Sequence, residues 1–171
     1  MPVTLAQLNA SAPAAFVAAI GHLFEHSPWV AEETYPGRPF RDLDALHAAL
    51  CATMRAAPRD RQLVLIRAHP DLAGRLAKSG QLTADSTKEQ AAAGLDRLTA
   101  EEAAEITRLN DAYKARFGFP FIICARLNAK DTILAAMRSR VGSSHEAEHS
   151  TALGEIAKIA RLRLIEAVTP P

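Results

Sequence analysis

The chain has 171 residues, of which 23% are charged and 49% are hydrophobic. This length is typical of one domain and is sufficient to bury a core without disulfides or metals. Lys and Arg together number 20 and Asp and Glu number 19, which gives a net charge of +1. The chain therefore lacks the excess of basic residues that is typical of nucleic-acid binders. We therefore predict a single domain over residues 1–171 that binds no nucleic acid.

The two cysteines, Cys51 and Cys124, are distant in the chain, and each lies in an apolar segment. Such a pair makes neither a disulfide framework nor a zinc quartet, which favours a reducing compartment. No apolar stretch approaches the ~20 residues of a transmembrane helix. The N-terminus also lacks the basic region of a signal peptide. The sequence thus predicts a cytoplasmic protein that does not enter a membrane.

Alanine accounts for 35 residues, and together with Leu, Arg and Glu it gives a helix-forming composition. Strand patterns are weak, because the apolar runs at 63–66 and 121–124 are short and do not alternate. The sequence therefore predicts an all-α fold.

Start and stop signals divide the chain into helices. Ser11, Asp42 and Ser86 are predicted N-caps, and Thr99 with Glu102 forms a predicted capping box. In chain order the predicted helices are 11–24, 28–33, 42–57, 58–69, 86–98, 99–118, 130–141 and 144–168.

The first candidate for chemistry is His69, followed by Pro70. Proline pushes the residue before it out of the helical region, so this imidazole lies at a helix end on stiff backbone. A histidine titrates near neutrality and suits proton transfer. The structural interpretation is a C-terminal histidine that complements the helix dipole. Spacing alone leaves both interpretations open.

The second candidate is the segment 86–90, which reads Ser-Thr-Lys-Glu-Gln. Ser-x-x-Glu is the capping-box pattern, and spacing alone favours that structural role. A helix N-terminus also offers N–H groups and a positive dipole end to an anion. Gln90 offers both a donor and an acceptor to a urea-like group.

The third candidate is the apolar segment that follows Gly118 and Pro120. Gly118 ends a helix and Pro120 prevents its resumption, so the next residues carry backbone groups that need partners. A polar ligand is one such partner, and a buried crossing segment is the structural alternative. Arg126, at the end of the segment, needs an anion or an exit to water.

Two short patterns resemble zinc-binding helices. His145 and His149 match HExxH and its inverse, and His22 and His26 match the inverse. The polar residues around the first pair indicate a solvated helix start, and His22 lies among residues predicted to face the core. Short patterns of this kind also match by chance.

Five motifs follow one another along the chain, and they are Glu25–Trp29, Ala68–Leu72, Ser86–Gln90, Phe117–Ile122 and Ile159–Leu164. Each motif alone is weak, and their order is what makes the resemblance specific. With these motifs the chain is similar to the decarboxylases of 2-oxo-4-hydroxy-4-carboxy-5-ureidoimidazoline (OHCU), which act in urate breakdown. The resemblance extends from Leu8 to Val168.

The resemblance implies an all-helical homodimer that converts OHCU, a small-molecule substrate, to (S)-allantoin without a cofactor or metal. It implies that His69 is the proton donor. The implied substrate-binding residues are Pro70, Ser86, Thr87, Lys88, Gln90, Phe121, Ile122, Ile123, Cys124, Ala125 and Arg163. Arg161 and Arg126 are the other arginines that could take the role mapped to Arg163.

Glu89 is a second predicted catalytic residue, because a carboxylate beside an imidazole holds it in one tautomer. We predict that Glu89 turns toward His69. Two other functions stay open at this stage. One is a helical binding or scaffold protein that keeps the fold without activity, and the other is a zinc hydrolase that uses His145 and His149.

Overall fold

The computed structural model describes residues 2–74 and 80–170. Their regular secondary structure is almost entirely helical, which confirms the predicted all-α fold. The α-helices of the described residues are α1 (Leu5–Ala10), α2 (Pro13–Ile20), α3 (Trp29–Thr34), α4 (Leu43–Ala56), α5 (Arg59–Ala68), α6 (Ala84–Ala92), α7 (Ala100–Phe117), α8 (Lys130–Arg140) and α9 (His145–Ala167). Short 3-10 turns occupy Gly21–Leu23, Tyr35–Gly37 and Ala125–Leu127.

Several helix ends form where the local signals predict them. Asp42 caps α4, and its carboxylate accepts the backbone N–H of Ala45 at 2.7 Å. Thr99 and Glu102 form a complete capping box at the start of α7. Gly118 ends that helix with a left-handed φ of 74°, a conformation that favours glycine. These three predictions are confirmed.

The prediction that Ser11 caps a helix reaching residue 24 is wrong. Ser11 instead ends α1, and its hydroxyl donates to the carbonyl of Leu8 at 2.7 Å. The next helix, α2, begins after Ala12 and ends at Ile20. α1 was not among the predicted helices, although Thr4 and Gln7 form a capping box at its start.

The prediction that Ser86 caps its helix is also wrong. The N-cap of α6 is Thr83, whose hydroxyl accepts the backbone N–H of Ser86 at 3.2 Å. Ser86 therefore lies inside the first turn of the helix, and it is buried. The helix ends at Ala92, not at residue 98, and Gly94 follows with a left-handed φ of 79°.

One compact unit contains Met1–Ala68 and Ile156–Pro171. In it α3 packs against both α2 and α4, and the two-residue strands Val3–Thr4 and Val168–Thr169 pair in parallel. Its core is mainly aliphatic, with three buried phenylalanines, and includes Leu8, Phe16, Ile20, Phe24, Phe40, Leu46, Leu50, Met54, Leu65, Ile156, Ala160 and Leu164.

The other compact unit contains His69–Glu155. Here α7 packs against α8, and α6 packs against the 3-10 turn Ala125–Leu127. A cluster of rings with centroids 4.4–6.0 Å apart anchors the chain that leaves α7, and consists of Tyr113, Phe117, Phe119 and Phe121. The single-domain organisation of residues 1–171 stays a prediction. No helix among the described residues is long and apolar enough to cross a membrane.

Candidate active site

His69 follows the last residue of α5, as the proline after it predicts. The residue is buried, with 7% of its surface exposed, so its imidazole does not extend into bulk water. The chain then turns: the N–H of Gly74 donates to the carbonyl of Asp71 at 3.3 Å, and Ala73 has a left-handed φ of 48°. A positive φ is unusual for alanine, so other contacts must stabilise this turn.

Side chains from α6 and α7 hold the first three residues of the turn, Asp71, Leu72 and Ala73. The side-chain oxygen of Gln90 accepts the N–H of Ala73 at 2.8 Å, and its amide nitrogen lies 3.5 Å from the Asp71 carbonyl. Asn110 donates to the carbonyl of Leu72 at 2.9 Å. Lys114 pairs with the Asp71 carboxylate at 2.6 Å. The segment after His69 is therefore fixed by its neighbours.

One face of α6 carries the polar residues of the second candidate segment. Ser86, Glu89 and Gln90 are buried, whereas Thr87 and Lys88 are exposed. This division follows helical geometry, in which residues three and four apart share a face. Because Gln90 contacts the turn after His69, this face and the turn belong to the same part of the unit. The orientation of Glu89 toward His69 stays a prediction.

The segment 121–125 is buried at every residue. Its backbone groups find partners in side chains: Arg140 donates to the carbonyl of Ile122 at 2.8 Å, and Glu155 accepts the N–H of Cys124 at 2.8 Å. Asn128 donates to the carbonyl of Cys124 at 3.0 Å. Side chains of the protein therefore satisfy some of the backbone groups for which the sequence predicted a ligand or a buried partner. Sequence reasoning missed both Arg140 and Glu155.

Arg140 belongs to a polar group beside this segment, in which Tyr113 and Glu148 are buried and Arg140 is half-buried. Its guanidinium donates to the Glu148 carboxylate at 2.9–3.0 Å and lies 4.2 Å from the centre of the Phe121 ring. The hydroxyl of Tyr113 donates to the same carboxylate at 2.5 Å. Burial, and then the hydrogen bond to Glu148, raise the pKa of the Tyr113 phenol well above its usual range.

The histidine pairs that resemble zinc sites have other surroundings. His145 is exposed and packs edge-on against the Phe117 ring at 5.1 Å, and the buried Glu148 beside it is the partner of Arg140. His22 and His26 are both exposed, and Leu23 and Phe24 beside His22 are buried, as predicted. Across the part of the chain that the structure describes, no three His, Cys, Asp or Glu side chains are arranged to hold a metal ion.

Arg163 lies in the unit that contains Ile156–Pro171 and is almost fully buried. Its guanidinium donates to the Glu25 carboxylate at 2.9 Å. The neighbouring Arg161 pairs instead with Asp44 at 2.6 Å. Arg163 and Glu25 thus join two of the five ordered motifs within one unit. The role of Arg163 as a substrate contact stays a prediction.

Comparison with known proteins gives consistent names. A family model described as OHCU decarboxylase matches residues 9–165. The 2-oxo-4-hydroxy-4-carboxy-5-ureidoimidazoline decarboxylase of Haloferax volcanii is 44% identical over 164 residues, covering 96% of this chain and 95% of the relative. The protein of the same name from Mus musculus is 40% identical, covering 88% of this chain and 85% of the relative.

Two solved structures share the fold. The crystal structure of (S)-allantoin synthase superposes with a TM-score of 0.77 and 32% identity over 98% of this chain, which spans 54% of the crystallised one. A crystal structure of OHCU decarboxylase in the presence of (S)-allantoin gives a TM-score of 0.65 and 25% identity, covering 80% of this chain and 88% of the other.

Proposed function

The chain belongs to the OHCU decarboxylase family, and from that premise we propose that it converts OHCU to (S)-allantoin in urate degradation, with no metal or organic cofactor. The family predicted from the ordered motifs is confirmed, and so is the enzyme class, a decarboxylase. The (S) product and the independence from cofactors are parts of the proposal. The names of the two solved structures support the (S) product.

One observation about this chain carries the proposal furthest. Gln90 bonds to the turn that follows His69, and the helix that bears Gln90 packs against the 3-10 turn that continues the segment 121–125. Three segments that are distant in sequence therefore adjoin within one compact unit. Together they offer a buried imidazole, a buried carboxylate on Glu89 and a wall of backbone and apolar groups. Such a set suits a small polar substrate with one reacting centre.

The proposed decarboxylation of OHCU requires few groups from the protein. The bond from the ring to the carboxylate breaks, carbon dioxide leaves, and the electron pair enters the conjugated ring system of the substrate. Carbonyl and imine groups of the substrate hold that charge. A proton then adds to one face of a ring carbon, which becomes the stereocentre of the product. The enzyme has to orient the carboxylate, stabilise the charge and deliver the proton from one side.

In this proposal His69 delivers the proton and recovers one from water, which balances each turnover. Glu89 holds its imidazole in one tautomer. Pro70 lines the site, and Ser86, Thr87, Lys88 and Gln90 bind the substrate together with 121–125. Arg163 binds an anionic or carbonyl oxygen, since a guanidinium offers two parallel donors. A homodimer and a cytoplasmic location are further parts of the proposal.

The test supplies freshly generated OHCU and follows the circular dichroism of the product. We expect the wild-type protein to form (S)-allantoin faster than buffer does, and to keep this rate after exhaustive dialysis against a chelator. His69→Ala should lower kcat by ~10²–10⁴, the usual effect of losing a general acid. His145→Ala is the matched control, because His145 is an exposed histidine of the same unit, and it should retain the wild-type rate.

Product formed no faster than in buffer would contradict the proposed activity and would favour a helical binding protein. Fast turnover that yields racemic allantoin would contradict the stereochemical part alone. Equal losses in His69→Ala and His145→Ala would contradict the role of His69 as the proton donor.

A further inference from the structure

We propose that Asn110 and Lys114 of α7 are positioning residues that fix the imidazole of His69 for proton delivery. The inference rests on the proposed function, in which His69 is the proton donor. Neither residue belongs to the five ordered motifs. Both contact the turn that immediately follows His69 and Pro70, and they do so from one face of a single helix.

The two residues lie four positions apart, so their side chains project from the same side of α7. Asn110 is buried and donates to the Leu72 carbonyl at 2.9 Å. Lys114 reaches the Asp71 carboxylate at 2.6 Å. With Gln90 at Ala73, every residue from 71 to 73 is bonded to a side chain of a neighbouring helix. The conformation after His69 is thus set by α7 as well as by α6.

The chemistry of Asn110 indicates a purpose other than stability. Its side-chain oxygen is buried and has no hydrogen-bond partner among the described residues. A buried polar atom without a partner opposes folding, and an apolar residue of similar size would avoid that penalty. Among the described residues, Asn110 is nevertheless the only one whose side chain donates a hydrogen bond to the Leu72 carbonyl. We attribute its presence to the need to hold this turn.

The left-handed backbone at Ala73 strengthens the argument. A non-glycine residue with φ of 48° is held in that region only when surrounding contacts determine it. Removing an anchor on either side would let the turn relax toward an ordinary conformation. His69 is two residues from the nearest anchored position, so its ring would shift, and a small misplacement of a catalytic group lowers the rate steeply.

The experiment compares Asn110→Leu, Lys114→Met and Lys114→Arg with Lys130→Met. Lys130→Met is a matched control, because Lys130 forms a similar ion pair in the same unit, with Glu102 at 2.7 Å. The side-chain exposures also match, at 35% and 24% for that pair against 41% and 24% for Lys114 and Asp71. The measurements are kcat and KM with OHCU, and amide hydrogen exchange at Ala73 and Gly74.

We expect Asn110→Leu to lower kcat by about 10- to 100-fold, with KM changed by less than about threefold. Lys114→Met should lower kcat by about 3- to 10-fold, Lys114→Arg should restore most of it, and Lys130→Met should match the wild type. Exchange at Ala73 should accelerate by about tenfold in Asn110→Leu and Lys114→Met only.

The two proposals fail in different ways. A wild-type protein without activity on OHCU would contradict the proposed function. Unchanged exchange at Ala73 in both variants would show that Asn110 and Lys114 do not anchor the turn. Faster exchange with kcat unchanged, or an equal loss of kcat in Lys114→Met and Lys130→Met, would overturn their role in positioning His69.

Discussion

The turn at residues 71–74 and the segment 121–125 are both parts of the candidate site that lie outside α-helices, and they are held in different ways. Two uncharged amides and one partly exposed ion pair hold the turn. The segment is held by the charged side chains of Arg140 and Glu155 and by a cluster of aromatic rings. The segment that bears no reacting group is thus the more firmly fixed of the two.

This difference has a physical consequence. Neutral hydrogen bonds, such as those to Leu72 and Ala73, contribute about 0.5–1.5 kcal/mol each. A buried charge that loses its partner costs several kcal/mol, so a change at the partners of 121–125 should cost more stability than a change at one amide of the turn. We call the buried segment 121–125 the wall of the candidate site.

The largest expected effect concerns the ion pair between half-buried Arg140 and buried Glu148. Arg140→Met should lower the free energy of unfolding by about 3–5 kcal/mol, because it leaves the Glu148 carboxylate buried without its cation. Urea denaturation followed by circular dichroism measures this quantity. The change also removes the hydrogen bond from Arg140 to the Ile122 carbonyl. The measured loss of unfolding free energy therefore includes the contribution of Arg140 to holding the segment 121–125.

Arg138→Met provides the control from the same helix. Arg138 forms a two-bond pair with Glu105, as Arg140 does with Glu148, but at the surface. The side chains of the outer pair are 55% and 25% exposed, and those of the inner pair are 15% and 2% exposed. Exposed pairs contribute about 0–1 kcal/mol, so the control should be nearly neutral. Equal losses in the two variants would contradict the expectation that burial makes the Arg140 pair the stronger anchor of the segment 121–125.

Helix caps and helix ends that depend on a few neighbouring residues could be predicted from the sequence. The cap at Asp42, the capping box at Thr99 and the helix end before Pro70 depend only on near neighbours, and all three formed as predicted. Ser86 shows the limit of such signals. Ser86 and Glu89 satisfy the capping pattern, but Thr83 is also a favoured cap residue one turn earlier. Starting the helix at that point lets Ser86, Glu89 and Gln90 share a buried face.

The residues that hold the wall could not be identified from spacing. Arg140 lies 18 positions from Ile122, and Glu155 lies 31 positions from Cys124. No local pattern links partners so far apart, since the fold alone brings them together. Glu148 and Glu155 are seven residues apart on the predicted last helix, which puts their two carboxylates on one face. That spacing does not say which residues they bond to.

An intermediate effect is expected at Glu155. Glu155→Leu removes the acceptor for the Cys124 N–H, and a buried donor left without a partner costs about 1–3 kcal/mol. Glu155→Gln keeps an acceptor oxygen at the same place and should cost less than about 1 kcal/mol. Urea denaturation of both variants separates the two values. Equal losses would mean that the negative charge, and not the hydrogen bond to the wall, is what matters at this position.

The smallest expected effect is a pH dependence at Tyr113. The pKa of its phenol is raised in the folded protein, so the unfolded chain, with a tyrosine pKa of about 10, loses this proton first as the pH rises. The stabilisation is therefore complete below about pH 10 and declines above it. Relative to Tyr113→Phe, the wild type should lose about 0.8 kcal/mol of unfolding free energy between pH 8 and pH 10.5. Because the comparison subtracts the titration of every other group, an unchanged difference would mean that Tyr113 ionises as readily when folded. The Tyr113 hydroxyl beside Glu148 would then be accessible to water, and water would reach the residues that pack against the segment 121–125.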